Sequence, residues 1–367
     1  MSKVAETTDR KQMIECNLLE AAEIIRDSPW DVPITLHGQP GGGKTACMET
    51  EAWKASARYD LHNLNEMEPP DLLGIPYAEA KHFKYKVPYF WYQASTEPEV
   101  EYKGPIWMVF DDVGTANEQN QNALASWVHA RKNDLIQLRD NVRFLMASNR
   151  VIDNSGVTPM PKHFCNRGMH LYIKLDVDTW LEWARINGVH PWCVGWIRHH
   201  PNFLNTFDPD SSDEAFCTAR SIHNLSKVLH KLGDRLKTGS VMMSKMAYGL
   251  IGPASFDFTA WVKFFDKTVA PEDIIKDPEH CRTPQENELD ILHATVASLE
   301  HYVTTHPVCW QAALTYALRI NPDLGLLLAK QVVDVVLAKM TNAEKTKAAG
   351  SKQMIEMFKR WGPLMAQ

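Results

Sequence analysis

Eight consecutive residues, Gly38-Gln39-Pro40-Gly41-Gly42-Gly43-Lys44-Thr45, constrain the fold of this chain more than any other stretch. A glycine, four free positions and then Gly-Lys-Thr is the pattern of a turn whose backbone N–H groups converge on an anion. Such convergence needs dihedrals that glycine adopts without penalty, and four of the eight positions are glycine. The flanks agree. Val32-Pro33-Ile34-Thr35-Leu36-His37 predicts a short buried strand, and Ala46 to Lys54, free of breakers, predicts a helix. Strand, glycine loop and helix start together make a phosphate site, because the helix dipole and its first amides point at the anion. In such a site residues 38–46 wrap the phosphates of a nucleoside triphosphate. Lys44 reaches the β- and γ-phosphates, and the Thr45 hydroxyl completes the shell of a Mg²⁺ ion.

A second stretch supplies carboxylates. Ile106-Trp107-Met108-Val109-Phe110, bounded by Gly104-Pro105, runs into Asp111-Asp112 and predicts a central parallel strand. Its carboxylates then fall at the C-terminal edge, where open α/β sheets bind ligands. Asp111 is placed to hold Mg²⁺, and Asp112 to orient or deprotonate an attacking water. After a helix expected over 117–132, Val142 to Ser148 predicts a strand ending in Asn149-Arg150. Asn149 there can hydrogen-bond the γ-phosphate or the water. Tyr59 to Leu64 alternates like a further strand, and Met169 to Ile173 reads as the last. Five strands alternating with helices predict a three-layer α/β domain around a parallel sheet.

The remaining sequence sets bounds. A length of 367 residues suggests two or three domains, and 44% hydrophobic with 23% charged residues is a globular composition. No window approaches a membrane span, and the polar first ten residues resemble no secretory signal, so a cytoplasmic setting is expected. Seven dispersed cysteines predict reduced thiols. The net charge of −6 gives no reason to expect nonspecific nucleic-acid binding. An opening amphipathic helix is expected after Thr7-Thr8-Asp9, carrying Met13, Ile14, Leu18, Ala21, Ala22 and Ile25. Residues 67–103 read as an irregular insertion, whose crowded Phe83, Tyr85, Tyr89, Phe90, Trp91 and Tyr92 form either a local core or a face toward a substrate. Residues 270–284 read as a linker, and 341–351 as a mobile tail. The fifteen histidines, His199-His200 among them, lack metal-ligand spacing and read as structural.

Taken in order, the motifs make residues 16 to 232 resemble an AAA+ ATPase of the MoxR-like branch. The glycine loop matches Walker A and the strand ending in Asp111-Asp112 matches Walker B. Pro70 to Pro76 is similar to the segment that follows the branch's second strand, and Glu118 to Leu124 to its run after Walker B. Asn149 stands at the sensor 1 position, Arg167 at the arginine-finger position and Arg220 at sensor 2. The resemblance implies a P-loop NTPase (AAA+) domain over 1–175 and an α-helical lid over 176–268; beyond it, where the resemblance weakens, helical spacing of Leu289, Leu292, Val296 and Leu299 and of Leu326 to Leu337 predicts a C-terminal helical extension over 269–367. It also implies ATP and Mg²⁺ as ligands and an active site shared between subunits of a homo-oligomeric ring, usually hexameric, with Arg167 completing the neighbour's site. The chain departs from the family at Asp112, where Glu is usual. By resemblance, hydrolysis serves chaperone-like remodelling of a protein client, for MoxR-like proteins often one with a von Willebrand factor A domain. Two other readings stay open: a nucleic-acid motor or loader on the same core, and a nucleotide-dependent scaffold that hydrolyses slowly. For Arg167 and Arg220, ordinary surface ion pairing is the competing role.

Overall fold

The computed structural model describes residues 14–79, 82–132, 136–150, 153, 160–233, 240–265, 267–285 and 288–365. The chain divides into two compact units, residues 1–179 with 207–211, and residues 180–206 with 212–367.

The first unit is built on β1 (Glu15–Cys16), α1 (Leu18–Asp27), β2 (Ile34–His37), α2 (Lys44–Lys54) and β3 (Arg58–Asn63). An insertion follows, comprising α3 (Pro69–Leu73), β4 (Ile75–Glu79), β5 (His82–Lys86) and α4 (Tyr89–Gln93). Then come β6 (Ile106–Asp111), α5 (Glu118–Ala130), β7 (Val142–Ser148), α6 (Lys162–Cys165) and β8 (Met169–Ile173). Six strands form one parallel sheet in the order β1-β8-β2-β7-β6-β3. The chain leaves β2 for the far edge at β3, so the order reverses beside β2, and the loop leaving β2 is the glycine loop. That is where an open α/β sheet leaves a crevice for a ligand.

Alternation along β6 divides the core. Ile106, Met108 and Phe110 pack on one face with Leu124 and Trp127 of α5, whereas Trp107 and Val109 pack on the other with Ile25 of α1 and Met48 and Ala52 of α2. Helices therefore cover both faces, as a parallel sheet requires. Arg143 of β7 is buried in the second face, between the rings of Trp30 and Trp107 at 5.0 and 5.4 Å, and donates to the carbonyls of Ile25 and Ser28. Those donations partly compensate a guanidinium whose burial works against its charge, while its buried Nε makes no hydrogen bond among the described residues.

Three sequence expectations change here. The opening helix begins at Leu18, because the Asn17 side chain accepts from Glu20 N–H at 2.9 Å while Glu20 accepts from Asn17 N–H at 2.8 Å, a reciprocal cap. Residues 15–16 instead pair with β8, and the expected cap at Thr7-Thr8-Asp9 lies outside the described residues. The described residues of the insertion are regular: β4 and β5 pair antiparallel between two short helices. Its aromatics divide, with Trp91 fully buried and stacked on Trp127 at 4.4 Å, and Phe90 half-buried against His62. Tyr85 and Tyr89 are exposed. Both indoles, Trp91 and Trp127, donate to the Leu72 carbonyl, at 2.9 and 3.0 Å.

Past α7 (Val177–Ile186), the second unit is helical: α8 (Pro191–His199), α9 (Ala219–Leu232), α10 (Val241–Ile251), α11 (Ala254–Phe265), α12 (Pro271–Lys276), α13 (Leu289–Thr305), α14 (Trp310–Ala317), α15 (Pro322–Lys339), α16 (Asn342–Ala349) and α17 (Lys352–Met365). Leu292, Val296 and Leu299 of α13 meet Leu314 of α14, Leu328 and Val332 of α15 and Trp361 of α17 in one core. Helix α8 is tied to α13 by the Arg198–Glu300 ion pair at 2.9 Å, and to α11 by Trp196 Nε1 donating to Asp257 at 2.6 Å. The segments expected as lid and as extension thus share one unit. Within 270–284, read as a linker, α12 buries Ile274, and within 341–351, read as a mobile tail, α16 buries Ala348. Among the described residues no helix is long and apolar enough to cross a membrane.

Candidate nucleotide site

The glycine loop joins β2 to α2 with Gly41 at φ 68° and Gly43 at φ 89°, left-handed values that a side chain resists. Gly38 is favoured for a different reason: a Cβ there would stand 3.1 Å from Cβ of Ile173, closer than most such contacts. Gly43 is the N-cap of α2 and brings no side chain to its first amides, so that turn presents backbone N–H groups and the positive end of the helix dipole.

Lys44, at 7% exposure, curls back over this loop. Its ammonium donates to the carbonyls of Gly38 and Gln39 at 2.8 and 2.9 Å and to the Asn149 side-chain oxygen at 3.1 Å. The next residue, Thr45, donates its hydroxyl to Asp111 Oδ2 at 2.8 Å. The other Asp111 oxygen accepts the N–H of Asp112 at 2.9 Å. A hydroxyl and a carboxylate in contact, beside a lysine and an anion-receiving helix start, form the donor set that a Mg²⁺–nucleotide complex requires.

Asp112 has φ 54°, an uncommon conformation that aspartate tolerates better than most residues. Its carbonyl accepts from Thr115 N–H and Thr115 Oγ1, at 3.0 and 2.9 Å, and from Ala116 N–H at 3.2 Å. Buried Gln121 holds the same turn by donating to the carbonyls of Val113 and Ala116. Buried Asn120 donates to those of Leu64 and Met67, tying the start of α5 to the segment after β3. Sequence reading passed over Asn120 and Gln121 as site supports. Two amides on the inner face of an otherwise apolar helix were the available signal.

The expected site residues do not all converge. Lys44 bonds the Asn149 side chain, and the neighbouring Thr45 and the Asp112 N–H each bond Asp111. Arg167, in the turn after α6, donates to the Ala125 carbonyl of its own α5 at 2.7 Å. Arg220 is exposed in the first turn of α9, in the helical unit, behind a Thr218–Ser221 capping box. His199 and His200 pair with Asp290 and Asp257 at 2.8 and 3.3 Å, and among the described residues no His, Cys, Asp and Glu cluster suits a metal ion.

Beneath the loop, His37 of β2 places Nε2 2.8 Å from Nδ1 of His170 on β8 and stacks on Tyr172 at 5.1 Å. Burial, then His170 and Lys44, hold the His37 imidazole at about 4, so its neutral form prevails at pH 7.

Sheet order, loop and donor set define an α/β domain of the phosphate-loop kind. No protein-family model and no curated protein matches the chain. Among solved structures, one from Cytophaga hutchinsonii, provisionally assigned as an ATPase, is 15% identical over 93% of this chain and 88% of its own, with a TM-score of 0.32. At that identity and superposition, the similarity adds nothing to the geometry above.

Proposed function

We propose that the protein is a Mg²⁺-dependent ATPase of MoxR-like AAA+ type, working as a ring of identical subunits, hexameric by that resemblance, and coupling hydrolysis to remodelling of a protein client. The observation that carries the nucleotide reading is the Thr45–Asp111 contact at 2.8 Å, with Lys44 beside it at the reversal of strand order. In this reading Lys44 exchanges neutral carbonyl partners for the β- and γ-phosphates, a stronger, charge-assisted interaction. Thr45 and Asp111 would hold Mg²⁺, which would supply neutralising charge to the phosphate oxygens. Asp112 accepts the proton of the attacking water or orients it, and Asn149 fixes the water or the γ-phosphate.

Arg167 acts on the neighbouring subunit after giving up the Ala125 carbonyl. Arg220 sits where a helix dipole disfavours a cation, so an anion close to it would relieve that cost. In the insertion, Ile75, Tyr77, Tyr85 and Tyr89 expose apolar surface, which supports contact with a client, a von Willebrand factor A domain protein being the first candidate.

A second reading, a nucleotide-dependent scaffold with slow turnover, is favoured by Asp112, whose carboxylate is one methylene shorter than the family's glutamate and extends from a left-handed backbone. The test is phosphate release by the full chain with ATP and Mg²⁺, with EDTA, and for Lys44→Ala. The motor reading expects Mg²⁺-dependent release that a protein client stimulates. Tight ATP binding with turnover no faster than in the Asp112→Asn variant selects the scaffold, and stimulation by DNA or RNA alone selects a nucleic-acid motor.

A further inference from the structure

His37 directly precedes Gly38, so its ring is carried by the residue that leads into the phosphate loop. A hydrogen-bond chain runs from that ring out of the sheet. His37 Nε2 lies 2.8 Å from His170 Nδ1, and His170 Nε2 lies 2.7 Å from the Cys165 carbonyl oxygen. A carbonyl only accepts, so His170 carries a proton on Nε2, and in its neutral form it offers a lone pair at Nδ1 to which His37 donates from Nε2. The Cys165 carbonyl belongs to the turn that holds Arg167, whose N–H donates to Phe164 O at 3.0 Å and whose guanidinium donates to Ala125 O at 2.7 Å.

Packing of β2 on β8 does not account for this chain. The parallel ladder already registers Ile34 to His37 against Met169 to Tyr172. What the histidines add is a link from the ladder to a turn outside it. At the other end, Gly38 O accepts from Lys44 Nζ at 2.8 Å, a bond that Lys44 must loosen to reach a phosphate.

We propose that His37 and His170 are positioning residues, through which the state of the phosphate loop sets the position of the Arg167 turn in the same subunit. The inference rests on the nucleotide-site reading above. Its consequence is that a subunit presents Arg167 to its neighbour according to the nucleotide it holds itself. Coupling of this kind needs a contiguous element that both ends bias, and here the element is two rings and two hydrogen bonds.

Cys165 offers a readout inside the turn that requires neither hydrolysis nor assembly, since its thiol is half-exposed and free. The experiment measures site-resolved alkylation of Cys165 by mass spectrometry in the dilute full-length chain, with and without Mg²⁺ and a non-hydrolysable ATP analogue, using Cys281 and Cys309 of the helical unit as internal references. Analogue binding is measured separately by calorimetry. The parent should change its Cys165 rate by about threefold or more on binding. His170→Leu should bind the analogue but lose that response. His170→Gln, whose amide both accepts and donates, should keep it. In steady state, His170→Leu should lower kcat by about tenfold with KM within about twofold.

Should His170→Leu fail to fold, His37→Leu cuts the same chain at its first bond and must give the same result. An unaltered response in either Leu variant, or binding without any response in the parent, overturns the inference and leaves the nucleotide site standing, as does failure of both Leu variants to fold, which makes the pair structural. Absence of binding in the parent overturns the nucleotide site, and the inference with it.

Discussion

Thr45 and Asp111 are 66 residues apart in sequence, and the hydroxyl of one donates to the carboxylate of the other at 2.8 Å. Asp111 also accepts the N–H of Asp112 at 2.9 Å, so one carboxylate holds both the Thr45 hydroxyl and the turn that carries the second acid. The two acids should therefore fail differently. Asp111→Asn keeps only one of the two accepting oxygens and loses the charge, and Mg²⁺ titrations should show the half-maximal concentration rising by about tenfold or more, with turnover falling alongside. Asp112→Asn keeps a residue type that tolerates φ 54° and should bind nucleotide normally while kcat falls by about 100-fold or more. Turnover at the parent rate in Asp112→Asn excludes it as the water-orienting group.

Lys44 is the cation whose ammonium meets Gly38, Gln39 and Asn149. Removing it in Lys44→Ala deletes a charge-assisted contact to phosphate, so calorimetry should find ATP affinity reduced by about tenfold or more. Unchanged affinity would remove the foundation of the nucleotide reading.

The insertion separates into structural and presenting aromatics. Trp91 is fully buried against Trp127 and donates to Leu72 O, so Trp91→Ala should cost about 3–5 kcal/mol in urea unfolding. Tyr89 is 74% exposed, and Tyr89→Ala should change stability by no more than about 0.5 kcal/mol and leave basal ATPase unaltered while weakening client-stimulated activity. A large stability loss in Tyr89→Ala would return it to the core.

Strands β2, β6 and β7 were legible because parallel strands buried on both faces read as near-continuous apolar runs, and Val142 to Ser148 is buried at every position, whereas the half-buried edge strand β3 was legible from its alternation. The two-residue β1 was not, since two residues carry no period and its pairing depends on Tyr172 and Ile173, far along the chain. The hairpin was missed because every residue of β4 is exposed and gives no alternation. Helices α12 and α16 were hidden by proline and by a Lys- and Ala-rich composition, and only the packing of Ile274 and Ala348 reveals them. At the site, the loop and carboxylates were legible from local spacing. The His37–His170 bond spans 133 residues, and the Arg167–Ala125 bond 42, separations at which no local pattern operates.

His37 also predicts a pH dependence of stability. Burial, reinforced by His170 and Lys44, lowers it from 6.5 to about 4, so between these values the unfolded chain binds the proton and the folded chain does not. Its contribution is complete above 6.5 and is lost as pH falls toward 4, on the order of 3 kcal/mol at most. Urea midpoints measured at pH 7.5 and 5 should therefore converge in His37→Gln, which keeps an N–H donor without titrating. An equal fall in parent and variant means that other groups carry the acid sensitivity.

Catalysis should require assembly. Arg167 is held by the neutral Ala125 carbonyl at 2.7 Å, and exchanging it for charge developing on a neighbour's phosphoryl group is electrostatically favourable. An arginine acting this way is worth about three to five powers of ten in rate. ATPase activity per subunit should rise with protein concentration through the assembly range, and ATP should promote the ring, because a ligand bound at the interface stabilises it by mass action. Mixing inactive Arg167→Ala protein with inactive Lys44→Ala protein creates interfaces where an intact loop faces an intact arginine, so partial activity should return. If sedimentation shows mixed rings and the mixture remains inactive, or if dilute monomer hydrolyses ATP at the full rate, the site is complete within one subunit and Arg167 serves the fold through α5.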